Sequence, residues 1–259
     1  MLLDGKVAVV SGAGPGLGQS VCLALAAHGA KVVAGDIDGA AVDGAVAAVL
    51  AGGGEATGLV TDIRDPGACT ALVEHAVGAF GRIDVLVNDA YHGGDFQLFE
   101  AADLAQWKET AEVNLWGTLT LTQAALGPLK KAGAGRVVMI CTHGVDLIQP
   151  TFGAYTASKA ALAHATKLLA AELGPYGIRV NAVFPGPIFG PALRGYLAQL
   201  AEGEGRPVED VHREWAAKNP LRYLVPPEEI AGSVVFLASD LSRPVTGQAL
   251  YVNAGEAFH

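Results

Sequence analysis

Charged residues are scarce in this sequence: they make up only 17% of its 259 residues, whereas apolar residues make up 51%. Intrinsic disorder requires the opposite balance, so the sequence predicts a chain that folds around a sizeable core. Basic residues are fewer than acidic ones, with 17 Lys and Arg against 26 Asp and Glu, which gives a formal net charge of −9. Because no cluster of Lys and Arg offsets this acidic surplus, nucleic acid is not expected as a partner.

Cysteine is also scarce, with Cys22, Cys69 and Cys141 as the only thiols of the sequence. Their odd number and wide spacing exclude a disulfide framework and a paired-cysteine metal site, so no metal is expected. Reduced thiols are typical of cytoplasmic proteins. The first residues lack a basic segment before an apolar run, and no apolar run approaches the ~20 residues that span a bilayer. We therefore expect a cytoplasmic protein that does not enter a membrane.

Glycine is abundant, with 34 residues, about twice the usual share of ~7%. Short apolar runs alternate along the chain with longer segments of helical spacing. The predicted strands are 6–11, 31–35, 55–61, 84–88, 136–141, 178–184 and 249–252. The predicted helices are 16–28, 39–50, 66–80, 103–131, 153–175 and 227–238. Strict alternation favours right-handed βαβ units. We therefore expect one α/β domain over residues 1–259, a doubly wound Rossmann domain whose central parallel sheet of about seven strands is flanked by helices.

One segment interrupts this alternation. Residues 186–226 contain no predicted strand and mix glycine, proline, charged and aromatic residues, with helical pieces at 192–201 and 208–218. An insertion that follows the carboxyl end of a strand lies over the ligand crevice of an open α/β sheet. We expect a small helical substrate lid here, and a flap without ligand contact is the alternative.

A glycine-rich loop joins the first predicted strand to the first predicted helix. Glycines there permit a tight turn and close approach to a pyrophosphate, and the helix N-terminus offers unpaired amides to the anion. The loop therefore predicts a dinucleotide site. Its expected cofactor contacts are Gly12, Gly14, Pro15, Gly16, Leu17 and Gly18.

Asp36 stands 18 residues after Gly18, at the end of the second predicted strand, with Ile37 beside it. A carboxylate near that offset accepts hydrogen bonds from both adenosine ribose hydroxyls and repels a 2′-phosphate. Since the loop has no Lys or Arg to bind such a phosphate, NAD(H) is predicted over NADP(H). A helix N-cap is the alternative role of Asp36. Asp62 and Ile63, after the third strand, suit the adenine amino group and ring, although Asp62 equally suits a plain turn.

Tyr155 and Lys159 are four residues apart in a predicted helix and therefore share one face. A phenol with an unperturbed pKa near ~10 is a poor base at neutral pH, and a nearby ammonium lowers that pKa. Tyr155 can then exchange a proton with an alcohol or a carbonyl while hydride moves to or from a nicotinamide. A surface tyrosine beside an unrelated lysine is the alternative.

The order of these motifs resembles the short-chain dehydrogenases/reductases over essentially the whole chain, from Asp4 to Asn253. The ordered set is far more specific than any single motif. It consists of the glycine pattern, the Asn88-Asp89-Ala90 step, Asn114, Tyr155 with Lys159, and Pro185-Gly186.

The resemblance implies a role for each matching residue. Tyr155 is the expected general acid/base, and Lys159 is expected to bind the nicotinamide ribose and to lower the pKa of Tyr155. Asn114 is expected to hold a water of a proton relay, with helix kinking or capping as the alternative. The positions expected beside the cofactor are Asn88, Ala90, Pro185, Gly186 and Ile188. The family usually forms homotetramers, so a homotetramer, or else a homodimer, is expected.

Two single positions and one pair of positions depart from the family pattern. Thr142 stands where the family has a serine that hydrogen-bonds the substrate oxygen, and threonine keeps the hydroxyl but restricts its rotamer. Tyr91 replaces a glycine after Ala90, so a bulky ring is expected at the mouth of the site. Phe189 and Gly190 replace a polar pair, which removes a hydroxyl that often bonds the carboxamide.

Aromatic residues near the expected crevice predict an apolar substrate pocket. The candidate wall residues are His143, Phe152, Phe189, Tyr196 and Trp215. Ordinary packing explains each of them alone, and a solvent-facing loop position is favoured for His143. The sequence therefore predicts an NAD-dependent short-chain alcohol dehydrogenase or ketone reductase that acts on a hydrophobic small molecule. The alternatives are a dinucleotide-binding regulator with weak or no catalysis and a 3-oxoacyl thioester reductase.

Overall fold

Seven strands form one sheet in the computed structural model, which describes residues 1–258. The order across the sheet is β3-β2-β1-β4-β5-β6-β7, and every neighbouring pair is parallel. The strands are β1 Val7–Ser11, β2 Lys31–Asp36, β3 Ala56–Val60, β4 Val85–Asn88, β5 Arg136–Ile140, β6 Arg179–Pro185 and β7 Ala249–Val252. The predicted doubly wound α/β fold is confirmed.

Helices cover both faces of this sheet, so the central strands β1, β4 and β5 bury both of their faces, whereas the edge strands β3 and β7 are partly exposed. In β1, Ala8 and Val10 belong to the core beneath α1 and α9, whereas Val7 and Val9 belong to the core beneath α3 and α5. This arrangement explains why the strands are continuous apolar runs. The helices are α1 Leu17–Ala27, α2 Gly39–Ala51, α3 Pro66–Phe80, α4 Leu104–Ala111, α5 Thr118–Ala132, α6 Gly153–Leu173, α7 Pro191–Glu204, α8 Val208–Ala216 and α9 Pro227–Ala238.

The helix predicted over 103–131 is confirmed and covers residues 104–132, but the hydrogen-bond pattern changes in its middle. The α-helix α4 ends at Ala111, Glu112–Gly117 forms a π-helical turn, and α5 follows. Two tertiary contacts accompany this turn: Asn114 bonds a distant loop, and a Cβ on Gly117 would lie 2.8 Å from Cγ1 of Ile63. Wide turns of this kind often occur at functional sites.

Residues 186–226 contain the two helices α7 and α8. They pack on a small apolar cluster of their own, formed by Leu197, Ala201, Val211, Ala216 and Leu224. The first turn of α7 approaches the glycine-rich loop, since a Cβ on Gly16 would lie 3.8 Å from Cδ of Pro191. The insertion therefore stands across from that loop.

The direction of winding reverses between the neighbouring strands β1 and β4. Open α/β sheets bind ligands at such a reversal, beyond the carboxyl ends of the strands. The glycine-rich loop after β1 and residues 89–91 after β4 lie there. Within residues 1–258, no helix has the length and apolar character needed to cross a membrane.

Candidate active site

A cavity of about 650 Å³ opens at this reversal point. Its wall combines the glycine-rich loop, the segments after the other central strands and the first turn of α7. The predicted residues that line it are Gly12, Gly14, Pro15, Gly16, Leu17, Gly18, Asp36, Ile37, Asp62, Ile63, Ala90, Thr142, Phe152, Tyr155, Lys159, Pro185, Gly186 and Ile188.

The glycine-rich loop is packed too closely to carry side chains. A Cβ on Gly18 would lie 1.8 Å from the carbonyl oxygen of Gly12, and a Cβ on Gly12 would lie 2.3 Å from the backbone nitrogen of Ala90. Gly16 begins α1, and no side chain among the described residues caps this helix end or places an acid in its first turn. Free amides at a helix N-terminus attract anions. The loop therefore fits the pyrophosphate of a dinucleotide.

Asp36 is held against this loop by two backbone amides. Its Oδ2 accepts a hydrogen bond from the Gly14 N–H at 3.1 Å, and its Oδ1 accepts one from the Asp38 N–H at 3.0 Å. Asp36 is not the N-cap of α2, because Asp38 fills that position and accepts from the Ala40 N–H. The alternative role considered for Asp36 is therefore wrong.

Asp62 is engaged by Arg64, a residue that sequence reasoning missed. Both carboxylate oxygens accept hydrogen bonds from the guanidinium, the shortest at 2.7 Å between Oδ2 and Nη2. These bonds hold the pKa of Asp62 below its usual value. Ile63 is 5% exposed and lies in the cavity wall. An adenine at this position meets an apolar side chain and an ion pair.

Three predicted catalytic groups come together at the ends of β5 and α6. The side chains of Thr142 and Tyr155 both line the cavity, and the Thr142 hydroxyl acts to lower the pKa of Tyr155. The Thr142 hydroxyl oxygen also accepts from the Gly144 N–H at 3.1 Å, which fixes its rotamer. Lys159 is 2% exposed, and its ammonium donates to the carbonyl of Ile140 at 2.7 Å. Its Nζ lies 6.0 Å from the centroid of the Tyr155 ring.

Burial dominates the electrostatics of this cluster. It raises the pKa of Tyr155, and Tyr91 and Cys141 add to the rise, whereas the Thr142 hydroxyl opposes it. Burial likewise lowers the pKa of Lys159. The pKa of Tyr155 is therefore raised, where the family resemblance implies a lowering, because removal from water disfavours the charged form of the phenol.

Asn114 is fully buried and connects two segments of the site. Its Oδ1 accepts from the His92 N–H at 2.7 Å, and its Nδ2 donates to the His92 carbonyl at 2.9 Å and to Oγ of Ser158 at 3.0 Å. Ser158 in turn donates to the carbonyl of Tyr155 at 2.7 Å. Asn114 thus ties the loop after β4 to the helix that carries Tyr155.

Comparison with known proteins identifies the family. A family model described as enoyl-(acyl carrier protein) reductase matches residues 12–256. The short-chain reductase protein NovJ of Streptomyces niveus is 37% identical over 250 residues, which cover 96% of this chain and 93% of the relative. The chain belongs to the short-chain dehydrogenase/reductase family. It is therefore an oxidoreductase, and the family typically uses nicotinamide cofactors.

Two further members of this family illustrate the range of its substrates. The 7alpha-hydroxysteroid dehydrogenase of Escherichia coli K12 is 31% identical over 253 residues, which cover 98% of this chain and 94% of the relative. The crystal structure of NAD+-bound xylitol dehydrogenase superimposes with a TM-score of 0.90 at 28% identity, and the match covers 98% of this chain and 100% of that one. One of these names refers to a steroid and the other to a polyol.

The structure places Asn88 and His143 differently from what was expected. Asn88 does not flank the cavity, because its side chain points into the core and Nδ2 donates to Oγ1 of Thr122 at 3.1 Å. His143 does not face solvent: it is 6% exposed, and its Nε2 lies 3.9 Å from Oε2 of Glu256. Burial lowers the pKa of His143.

Three of the predicted wall residues pack within the insertion instead of the cavity wall. The ring of Phe189 lies beneath the guanidinium of Arg194, 3.9 Å from its central carbon, while Tyr196 and Trp215 meet edge-on with centroids 5.7 Å apart. These rings are used by α7 and α8 to pack on each other. Of the predicted aromatic wall, only Phe152 lines the cavity.

The loop between β4 and α4 supplies several wall residues that the sequence reasoning missed. Asp89, His92 and Phe96 line the cavity, together with Tyr91 at the position of the family's glycine. The sequence signal that could have identified them is their position directly after β4, because ligands bind beyond the carboxyl ends of strands where the winding reverses. Within residues 1–258, no group of three or more His, Cys, Asp or Glu side chains is arranged to hold a metal ion.

Proposed function

We propose that this chain is an NAD(H)-dependent oxidoreductase that interconverts a secondary alcohol and a ketone on a hydrophobic small molecule. Tyr155 is the general acid/base of the reaction. The observation that carries the proposal is the convergence of Tyr155, Thr142 and Lys159 in the cavity that also contains the glycine-rich loop and Asp36.

Tyr155, Thr142 and Lys159 have different roles in the proton transfer. Tyr155 takes the proton of an alcohol oxygen or returns it to a carbonyl oxygen. Thr142, whose hydroxyl acts to lower the pKa of Tyr155, positions that same oxygen. Lys159 holds a positive charge beneath the Tyr155 ring and favours the phenolate when it forms. A bound nicotinamide supplies the hydride acceptor or donor.

The remaining residues hold the cofactor and cover the site. The free amides of the glycine-rich loop bind the pyrophosphate, and Asp36 accepts hydrogen bonds from the adenosine ribose. Pro185, Gly186 and Ile188 border the nicotinamide. The insertion 186–226 is the substrate lid, since the first turn of α7 already lies in the cavity wall.

A turnover assay with a matched variant tests this function. NAD+ reduction is measured with a panel of secondary alcohols, and NADH oxidation with the corresponding ketones and with acetoacetyl-CoA. Tyr155→Phe keeps the ring and removes the proton, so we expect a loss of kcat of at least about 100-fold, with unchanged NADH affinity by fluorescence titration.

Three other outcomes would each replace the proposal. NADH binding without turnover of any alcohol or ketone favours a regulator. Turnover of the CoA thioester alone favours a 3-oxoacyl thioester reductase. Full activity of Tyr155→Phe removes Tyr155 from the reaction.

A further inference from the structure

We infer that Tyr91, Phe96 and Phe152 form an aromatic wall that selects substrates in which the reacting carbon belongs to, or is attached to, an alicyclic or aromatic ring. This inference rests on the proposed function and narrows its substrate class. All three side chains line the cavity that contains Tyr155.

Phe96 and Phe152 form the centre of the aromatic wall. Their rings meet edge-on, with centroids 4.8 Å apart and an interplanar angle of 61°. Phe96 has a left-handed backbone, with φ of +51°, which is rare for a bulky residue. The backbone at Phe96 is therefore strained in the conformation that places this ring in the cavity wall. The ring remains 50% exposed. An exposed apolar ring in a cavity is available to pack on a ligand.

Tyr91 lies next to Tyr155, the proposed general acid/base. Its ring lies edge-on to that of Tyr155, with centroids 6.2 Å apart and an interplanar angle of 71°. Phe152 precedes Tyr155 by three residues at the start of α6, so the two side chains leave the helix on adjacent positions. A substrate whose oxygen meets Tyr155 therefore places its carbon skeleton beside these rings.

A ring fits this arrangement better than a polyol does. Beside the aromatic wall, the polar side chain of His92 is already engaged, because its Nδ1 lies 3.2 Å from Oγ1 of Thr110. Each desolvated hydroxyl of a polyol needs a partner. The faces of Phe96 and Phe152 provide none, whereas they bury the apolar surface of a ring.

A comparison of two phenylalanines in the same loop tests the inference. Phe96→Ala removes a wall residue, whereas Phe99→Ala removes a ring that packs on Trp107 outside the cavity wall. Activity with NAD+ is measured on cyclohexanol, 2-butanol and xylitol. We expect Phe96→Ala to lower kcat/KM about tenfold on cyclohexanol, or about 1.4 kcal/mol, and less than about twofold on 2-butanol. Phe99→Ala is expected to leave both values unchanged, and cyclohexanol is expected to be the best of the three substrates.

Binding measured without turnover separates this inference from the proposed function. In saturation-transfer NMR on the NADH-loaded protein, cyclohexanone protons should receive saturation from the wild type and much less from Phe96→Ala. The inference is overturned if xylitol is the best substrate, or if Phe96→Ala lowers activity on cyclohexanol and 2-butanol equally. If no alcohol is oxidised, the proposed function fails, and the NMR contrast alone decides whether the aromatic wall binds a ring.

Discussion

Asn114 and the backbone of His92 are joined by a pair of hydrogen bonds, with Oδ1 accepting from the N–H at 2.7 Å and Nδ2 donating to the carbonyl at 2.9 Å. The two residues are 22 positions apart in sequence. One side chain therefore satisfies both polar groups of a loop residue that has no regular secondary structure around it. The loop after β4, which carries Tyr91 and Phe96 of the aromatic wall, is therefore held by the π-helical turn.

This relationship predicts the effect of Asn114→Ala. The variant leaves the half-buried backbone N–H and carbonyl of His92 without their side-chain partner and removes one of the two hydrogen bonds of Ser158. We therefore expect a loss of about 2–3 kcal/mol in the free energy of unfolding. Hydrogen exchange across residues 89–98 should become faster. Urea unfolding and exchange mass spectrometry measure these effects, with the exposed substitution Gln123→Ala as the control. Unchanged exchange in that loop would contradict the positioning role.

Thr142 predicts a contrast between two substitutions. Thr142→Ser keeps the hydroxyl that acts on Tyr155, whereas Thr142→Val keeps the shape and removes it. We expect Thr142→Val to lower kcat by about 100-fold, as the loss of a positioned hydrogen bond in the transition state does, and Thr142→Ser to stay within about threefold. NADH affinity should be equal in both. Steady-state kinetics decide, and equal losses in the two variants would argue for a packing role.

Asp36 predicts the cofactor preference. We expect kcat/KM with NAD+ to exceed that with NADP+ on the order of 100-fold, because the carboxylate repels a 2′-phosphate. Asp36→Asn removes the charge and should lower this ratio at least about tenfold. Asp38→Asn is the matched control, because the Asp38 carboxylate caps α2 and does not bond the glycine-rich loop. A wild-type preference for NADP+ would refute the role of Asp36.

Asp89 predicts a pH dependence of stability. Burial raises its pKa to about 7, Lys159 opposes the rise and Asp36 adds to it, whereas an unfolded chain has an Asp pKa near ~3.9. Between these values the folded protein holds a proton that the unfolded chain has lost. The contribution of Asp89 to stability therefore falls as pH rises through this window, and it is constant above the folded pKa.

The isosteric Asp89→Asn variant has no such proton. Relative to wild type, its free energy of unfolding should be higher by up to about 4 kcal/mol at about pH 8 and almost unchanged at about pH 4. Urea unfolding at both pH values measures the difference, with Asp43→Asn as an exposed control. A difference that does not change with pH would show that the buried carboxyl is not the cause.

Exposed apolar residues on two helical segments predict self-association. Trp116 on the π-helical turn is 56% exposed, and Leu168 on α6 is 54% exposed. The family resemblance implies a homotetramer, and these two side chains lie on the helices through which such an assembly is expected to form. We expect sedimentation equilibrium to give the mass of four chains of 26.4 kDa each. Trp116→Glu with Leu168→Glu should lower that mass, and a monomeric wild type would overturn the prediction.

Sequence reasoning succeeded where the signal was local. Continuous apolar runs such as that of β1 report strands buried on both faces, and the glycines at 12 and 18 report a loop in which a Cβ would collide with backbone. It did not reveal the π-helical turn within the helix predicted over 103–131, because that turn accompanies contacts of Asn114 and Gly117 with distant residues. Helical periodicity carries no trace of such contacts.

The sequence by itself determined the alternation of strands and helices, the glycine-rich loop and the spacing of Tyr155 and Lys159 on one helix face, because each is a local pattern along the chain. The tertiary structure decided which aromatic rings line the cavity: Tyr91 and Phe96 rather than Tyr196 and Trp215. It also decided that burial raises the pKa of Tyr155. Both outcomes depend on distances and desolvation between remote segments, and these exist only once the chain has folded.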